Sequence, residues 1–370
     1  MSADSESGPG HFPATAADVT PGWLTEMLRA GCPDFPATAR VKDFRSHTVG
    51  AGMFGDSVRF SLDKDCDGGP DSLVIKFAAA DPVSRENGWA LSLYPTEIRF
   101  YRDIAPEVEI SRPACWFADG DAESGDFAIV MEDLSPARQG DQLTGCSIED
   151  AAEAMRQAAA LHAPRWADPD LATLPWLADK APVFEHVVAS YPAAVAEFHR
   201  RYDDVLEPEY MAICDWFAER ATGFFTLDYG PKTFIHLDFR LDNMLFDAKG
   251  GERPLVVLDW QSVTVGPGAV DVAYFLGAGI SPEMRAAHEP ELLGLYLSQL
   301  QRRGVEGYTM DDLRRDYALA LWQGVSTSIH ASAATKRTER GDAMFMAMCR
   351  GACRQALDND AQAVLERAIG

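Results

Sequence analysis

The segment His236-Leu237-Asp238-Phe239-Arg240-Leu241-Asp242-Asn243 has the form H-x-D-x-x-x-x-N, and sixteen residues beyond Asn243 the apolar run Val256-Val257-Leu258 ends in Asp259-Trp260-Gln261. Phosphoryl transfer needs this inventory: one carboxylate to accept or orient the proton of an attacking hydroxyl, and an amide oxygen with a second carboxylate to hold Mg2+. Asp238 fits the first role, and Asn243 and Asp259 fit the second. Standing alone, the pattern is equally a loop matched by chance.

Upstream segments bear on the same chemistry. Gly50-Ala51-Gly52-Met53-Phe54-Gly55 spells G-x-G-x-x-G. A dinucleotide fingerprint would open a helix, but here an alternating strand at 57–62 follows, so the loop reads as a hairpin folded over nucleotide phosphates; a plain β-turn is the competing reading. Lys76 lies 26 residues after Gly50 in Val74-Ile75-Lys76-Phe77. A lysine among apolar residues on a buried strand is costly unless it meets an anion, which the α- and β-phosphates and a helix carboxylate would supply. Glu97 is the candidate carboxylate, unless it is an exposed acid complementing the dipole at a helix start.

These residues need elements to position them. Residues 1–14 read as a disordered tail. Thr20-Pro21 is an N-cap and first helical position, and Val58, Phe60 and Leu62 alternate with polar residues before a turn at 67–70 and a buried strand at 73–77. A helix at 96–104 is entered through Pro95, and 127–131 is another apolar strand. Beyond Leu134 the pattern turns helical: Ala151, Met155, Ala158 and Leu161 share one stripe, and Tyr210, Ile213, Phe217 and Ala221 another. Short strands at 234–235, 244–246 and 255–258 interrupt the helices, and further helices follow at 282–303, 311–330 and 341–368. The pattern predicts a β-rich lobe over 15–133 and a helical lobe over 134–370, joined near 131–135, with ligands in the cleft that such lobes form.

Four motifs in this order over residues 45–275 resemble the protein-kinase-like superfamily, and within it the small-molecule kinases grouped around aminoglycoside phosphotransferases, choline kinases and ecdysteroid-kinase-like proteins. The wording Arg240-Leu241-Asp242-Asn243 with Asp259-Trp260-Gln261 is most similar to bacterial members of the ecdysteroid-kinase-like branch. The resemblance implies an α+β bilobal kinase-like fold, ATP and Mg2+ as cofactors, and a small hydroxylated acceptor. Ile129-Val130-Met131-Glu132-Asp133-Leu134 is similar to the hinge of these kinases, whose backbone groups meet adenine, which makes Glu132 and Leu134 nucleotide-binding positions beside Gly50, Gly52, Gly55, Lys76 and Glu97. His236 would orient the catalytic loop. Arg240 stands where many protein kinases carry Lys and would neutralise charge on the transferred phosphate, or else simply pair with Asp242. Asp271 resembles the aspartate that braces the loop, and His162, in Ala159-Ala160-Leu161-His162-Ala163, reads as a structural histidine.

Departures from the family narrow the acceptor. No D-F-G or A-P-E follows Asp259, and about a dozen residues separate it from the next apolar helix at 270–276, which leaves no room for a peptide-docking platform. No protein substrate is expected. A resistance enzyme acting on aminoglycosides or macrolides is the alternative acceptor class, and a nucleotide-binding pseudokinase the alternative outside enzymes, although Lys76, Asp238, Asn243 and Asp259 are all intact. Tyr274, Trp322 and His330 could line the acceptor pocket or be core residues.

The chain has 370 residues, with 33 basic and 57 acidic side chains and a formal charge of −24. That balance argues against nucleic-acid and anionic-membrane partners, and it requires an anionic nucleotide to be met locally by Mg2+, Lys76, Arg240 and loop amides. No apolar run reaches the roughly 18 residues of a membrane span, and residues 1–10 lack the basic residues of a targeting segment, so the cytoplasm is the expected location. Seven cysteines without C-x-x-C suggest reduced thiols. Cys349 and Cys353 would share a helix face, and with no His or third Cys at ligand spacing they read as helix-interior thiols.

Overall fold

The computed structural model describes residues 12–52 and 54–370. Two compact units divide the chain: the first takes the residues through Pro106 and then Pro113–Ser135, the second Glu107–Arg112 and Pro136–Gly370. The first is built on a sheet and the second is mostly helical, the α+β class expected from the sequence. Among the described residues no helix is long and apolar enough to cross a membrane. The tail predicted for 1–14 lies outside the described residues as far as residue 11; at its end Phe12 meets Phe117 with ring centroids 5.9 Å apart.

In the first unit Thr20 caps α1 (Pro21–Gly31) by accepting the Trp23 N–H at 3.1 Å, with Pro21 where its missing N–H costs nothing. There follow β1 (Val41–Ala51), β2 (Gly55–Lys64), β3 (Ser72–Ala78), α2 (Pro82–Ala90), α3 (Leu93–Arg99), β4 (Cys115–Asp121) and β5 (Asp126–Glu132). The strands form an antiparallel sheet in the order β1-β2-β3-β5-β4. Side chains alternate across a strand, so Leu73, Ile75 and Phe77 join Phe60, Val130, Leu24 and Leu28 in one core cluster. The same alternation sends Lys76 to the opposite face. The helix predicted at 96–104 starts earlier, at Leu93, and loosens into a π-helical turn at Phe100–Ile104.

In the second unit the order is β6 (Arg138–Gln139), α4 (Ile148–His162), α5 (Pro175–Tyr202), α6 (Pro208–Ala218), α7 (Ala221–Phe225), β7 (Lys232–Ile235), β8 (Met244–Ala248), β9 (Arg253–Val257) and β10 (Thr264–Pro267). Helices α8 (Ala269–Gly279), α9 (Pro282–Arg302), α10 (Met310–Ala320), α11 (Trp322–Ala334), α12 (Glu339–Asp358) and α13 (Ala361–Ile369) complete it. Apart from Asp271, α8 is apolar on all sides and buried nearly throughout, as a central helix must be. The predicted stripe of α4 is fully buried. The runs at 311–330 and 341–368, predicted as single helices, each break in two. Trp322 is a core residue, stacked on Phe217 at 5.3 Å. Small ladders β6-β8-β9 and β10-β7 frame the segment that carries the sequence motif.

Candidate active site

β7 delivers the chain to His236, and β8 begins directly after Asn243, so the motif is the connection between two short strands. Such a connection needs its polar backbone satisfied when buried. Asp271, wholly buried on α8, does this: its Oδ2 accepts the His236 N–H at 2.7 Å and its Oδ1 the Leu237 N–H at 2.9 Å. Leu237 has φ +68°, a conformation costly for a non-glycine residue, and the double acceptor holds it there. The Asp271 Oδ2 also lies 3.2 Å from His162 Nε2, while His162 Nδ1 lies 2.8 Å from the Tyr296 hydroxyl. His162 is thus wholly buried and hydrogen-bonded at both nitrogens.

The loop closes on itself through Asp238. Asn243 Nδ2 donates to the Asp238 backbone carbonyl at 2.9 Å and to its Oδ2 at 2.8 Å. Arg240 Nε donates to Asp238 Oδ1 at 2.9 Å, and its Nη1 donates to Asp242 Oδ2 at 2.8 Å. With 19% of its side chain exposed, Arg240 is not a surface group; it bridges both aspartates. Burial opposes its charge, but Asp238 and its other neighbours outweigh that and raise its pKa above the ordinary value. For Asp242 burial also works against the charge, and the Gln142 N–H, Arg240 and Arg340 lower its pKa nonetheless.

Asp259 follows β9 with φ +63°. Its position is fixed through the residue before it: Leu258 donates its N–H to the Asn243 carbonyl at 2.9 Å and accepts from His236 Nε2 at 2.9 Å. A carbonyl only accepts, so Nε2 carries the proton. The chain just before Asp259 is therefore held to Asn243, while Asp238, Arg240 and Asn243 are joined by direct side-chain hydrogen bonds.

Three contributors were not legible from the motif. Tyr274 on α8 donates its hydroxyl to Asp238 Oδ1 at 3.3 Å; burial, reinforced by the Asp238 charge, pushes its pKa well up and keeps it protonated. Gln142 takes the Leu241 N–H on Oε1 at 3.1 Å and gives its own N–H to Asp242 Oδ1 at 3.0 Å. The fit is close enough that a Cβ at Gly140 would fall 2.2 Å from the Leu241 carbonyl oxygen. Arg340, at the start of α12, reaches Asp141 at 3.2 Å and Asp242 at 3.4 Å. Local spacing holds no signal for residues that lie from 36 to 100 positions away. Of the other acceptor-pocket candidates, His330 lies 3.3 Å from the Ser190 hydroxyl, and burial together with His186 lowers its pKa.

In the first unit, Lys76 Nζ stands 2.6 Å from Glu97 Oε2. Glu97 is 1% exposed, so it is not the exposed helix-start acid of the competing reading. Gly50 and Gly55 belong to the ends of β1 and β2, and Gly52 N–H donates to Gly55 O at 2.8 Å, which makes the G-x-G-x-x-G segment a hairpin tip. A Cβ at Gly55 would lie 3.0 Å from the Phe77 carbonyl oxygen and 3.1 Å from Lys76 Cε, so a side chain there would displace the lysine. At the end of β5, Glu132 gives its N–H to Ala114 O at 2.8 Å, and Leu134 is buried.

A family model described as "Phosphotransferase enzyme family" matches residues 65–323. That span includes Lys76, Glu97, Asp238, Arg240, Asn243 and Asp259, and begins after the glycine hairpin. No curated protein matches the chain in sequence. Among solved structures, choline kinase from Cryptosporidium parvum is 10% identical, with 94% of this chain and 97% of that one covered at a TM-score of 0.53. An ethanolamine kinase of Plasmodium vivax is 8% identical over 84% of this chain and 82% of that one, at a TM-score of 0.51. A protein of Ralstonia eutropha provisionally assigned as an aminoglycoside phosphotransferase is 17% identical over 90% and 97%, at a TM-score of 0.51. The fold is that of the protein-kinase-like small-molecule kinases.

Proposed function

Because the chain belongs to the phosphotransferase enzyme family, we propose that it transfers the γ-phosphate of Mg-ATP to a hydroxyl of a small molecule. The observation that supports this reading is a braced loop that holds a carboxylate, Asp238, against an amide, Asn243, with the residue before a second acid, Asp259, hydrogen-bonded to Asn243 through the Leu258 N–H.

The donor set suits a hard divalent cation, which prefers oxygen ligands. Asn243 commits its amide nitrogen to Asp238, which turns its carbonyl oxygen into the group available for a metal. Asn243 and Asp259 would hold Mg2+, whose contribution when bound is to offset charge on the phosphate oxygens. Lys76, steadied by Glu97, would hold the α- and β-phosphates, with the amides of the Gly50, Gly52 and Gly55 hairpin over them and Glu132 and Leu134 near the adenine.

Asp238 takes the proton of the acceptor hydroxyl as that oxygen bonds to the γ-phosphorus and the bond to the β–γ bridging oxygen breaks, leaving ADP. Tyr274 keeps Asp238 oriented, and Arg240 moves from Asp238 toward the phosphate as charge develops there. The acceptor is small because only Trp260–Ser262, Thr264–Pro267 and their joining residues lie between Asp259 and α8.

The test is nucleotide consumption with ATP or GTP, with and without Mg2+, across amino alcohols, sugars, aminoglycosides and macrolides. Mg2+-dependent phosphorylation of one acceptor class is expected. Mg2+-dependent nucleotide binding with no transfer to any acceptor would overturn the enzyme reading in favour of a scaffold.

A further inference from the structure

Cys349 and Cys353 are one turn apart on α12, so their side chains leave the same helix face. The third thiol that their spacing lacks comes from α6, 135 residues earlier than Cys349: Cys214 Sγ lies 3.6 Å from Cys349 Sγ and 3.8 Å from Cys353 Sγ. All three sulfurs lie within 4.8 Å of one another, and all three cysteines are buried and free.

These separations are far longer than a disulfide bond of about 2.05 Å. They match another geometry. Thiolates at about 2.3 Å from a tetrahedral ion are about 3.8 Å apart along the tetrahedron's edge. Two sulfur–sulfur edges of such a tetrahedron are therefore already in place, on two helices that pack together.

We propose that Cys214, Cys349 and Cys353 supply three thiolates to a structural site for a thiophilic divalent d10 cation of the zinc class. Soft thiolates select such ions over the hard cation proposed for Asn243 and Asp259. Binding replaces S–H with S–metal bonds and releases the thiol protons to solvent, so affinity falls as pH falls. The ion would lock α6 to α12, and α12 also carries Arg340, which reaches Asp242, and Met344, whose Sδ lies 3.5 Å from Arg240 Nη1. All three thiols are buried away from substrate, so the role of the site is to hold α12 against the loop.

Two measurements on the intact wild-type chain test it. The first is metal content after growth in zinc-supplemented medium and purification without chelators. The second is absorption after refolding with one equivalent of Co2+. About one zinc per chain, or thiolate-to-cobalt charge-transfer bands with the intense visible bands of tetrahedral cobalt, is expected. Cys214→Ser and Cys349→Ser should abolish those bands while Cys32→Ser keeps them. A wild-type protein that is isolated without metal and refolds with all seven thiols reduced, yet shows no charge-transfer bands, overturns the site, as do bands that persist in Cys214→Ser. Neither readout depends on catalytic turnover.

Discussion

His236 Nε2 donates to the carbonyl oxygen of Leu258 at 2.9 Å, and this bond joins the first residue of the loop to the residue that presents Asp259. His236 therefore acts on the candidate metal ligands without touching them. Replacing it with Ala orphans a partly buried carbonyl, at about 1–3 kcal/mol at most, and opens a cavity beside Trp260, whose ring centroid lies 4.7 Å from that of His236. Stability should fall, and the Mg2+ concentration for half-maximal activity should rise more than the KM for ATP. Lost stability with an unchanged Mg2+ requirement would confine His236 to folding.

Asp271 accepts two loop N–H groups and keeps Leu237 at φ +68°. Asp271→Ala leaves both donors buried and unpaired, each at about 1–3 kcal/mol, so a large loss of stability and near-complete loss of activity are expected. The more informative variant is Leu237→Gly, which relaxes the strained conformation at the cost of chain entropy. Combined with Asp271→Asn, it should recover part of the lost melting temperature. No recovery in the double variant would show that Asp271 acts through His162 and not through the loop backbone.

The loop itself was legible because its chemistry is local. Asp238 and Asn243 lie within one strand–loop–strand segment and Asp259 just past the next strand, and a lysine among apolar residues on a strand marks Lys76 as a group that needs an anion. Tyr274, Gln142 and Arg340 were not assigned to the loop because they come from distant segments, and nothing in their neighbours marks which contacts they make. Element breaks failed for a similar reason. The helix predicted at 311–330 breaks at Leu321, and α5, which has no counterpart among the predicted helices, continues past Pro182 and Pro192. The trio of thiols leaves no spacing signal along the chain, because α6 supplies Cys214 to α12 through space.

Lys76 and Glu97 form a pair in which each side chain is the other's compensation, with 13% and 2% of their side chains exposed. Breaking it from one side leaves a buried charge, at about 3–5 kcal/mol. Lys76→Ala should thus lose both stability and ATP affinity. The double variant Lys76→Met/Glu97→Leu removes both charges and should regain most of the stability while ATP binding stays weak. Denaturant titration and nucleotide binding by calorimetry separate the two effects, and restored ATP affinity in the double variant would return the lysine to a purely structural role.

Asp133 is 5% exposed and takes the Ser72 hydroxyl at 2.6 Å, Arg59 Nη2 at 2.9 Å and the Ser135 N–H at 3.1 Å. Burial opposes its charge, but these donors outweigh it and hold its pKa below the ordinary value of 3.8. With a folded pKa below the unfolded one, the unfolded chain binds the proton first, so this contribution is complete above the unfolded pKa and is lost as pH falls through the folded one. Asp133→Asn should be less stable than wild type near neutral pH, and the gap should narrow as pH drops below the ordinary value. Denaturant titrations at neutral and acid pH measure the gap. A gap independent of pH would mean that the donors fit the amide as well as they fit the carboxylate.

Asp238 faces three donors: Arg240 Nε, Asn243 Nδ2 and the Tyr274 hydroxyl. Asp238→Asn removes the group that takes the proton, and turnover should fall by roughly two to four orders of magnitude, with nucleotide affinity nearly unchanged. It also turns an amide NH2 toward one of those donors, so a modest loss of stability, about 1–3 kcal/mol, should accompany it. Asp238→Glu keeps the charge but moves it by one methylene, so it should keep more of the stability than Asn does and little of the turnover. Wild-type turnover in Asp238→Asn would rule out Asp238 as the base. Equal loss of nucleotide affinity and turnover would instead assign the aspartate to holding the loop.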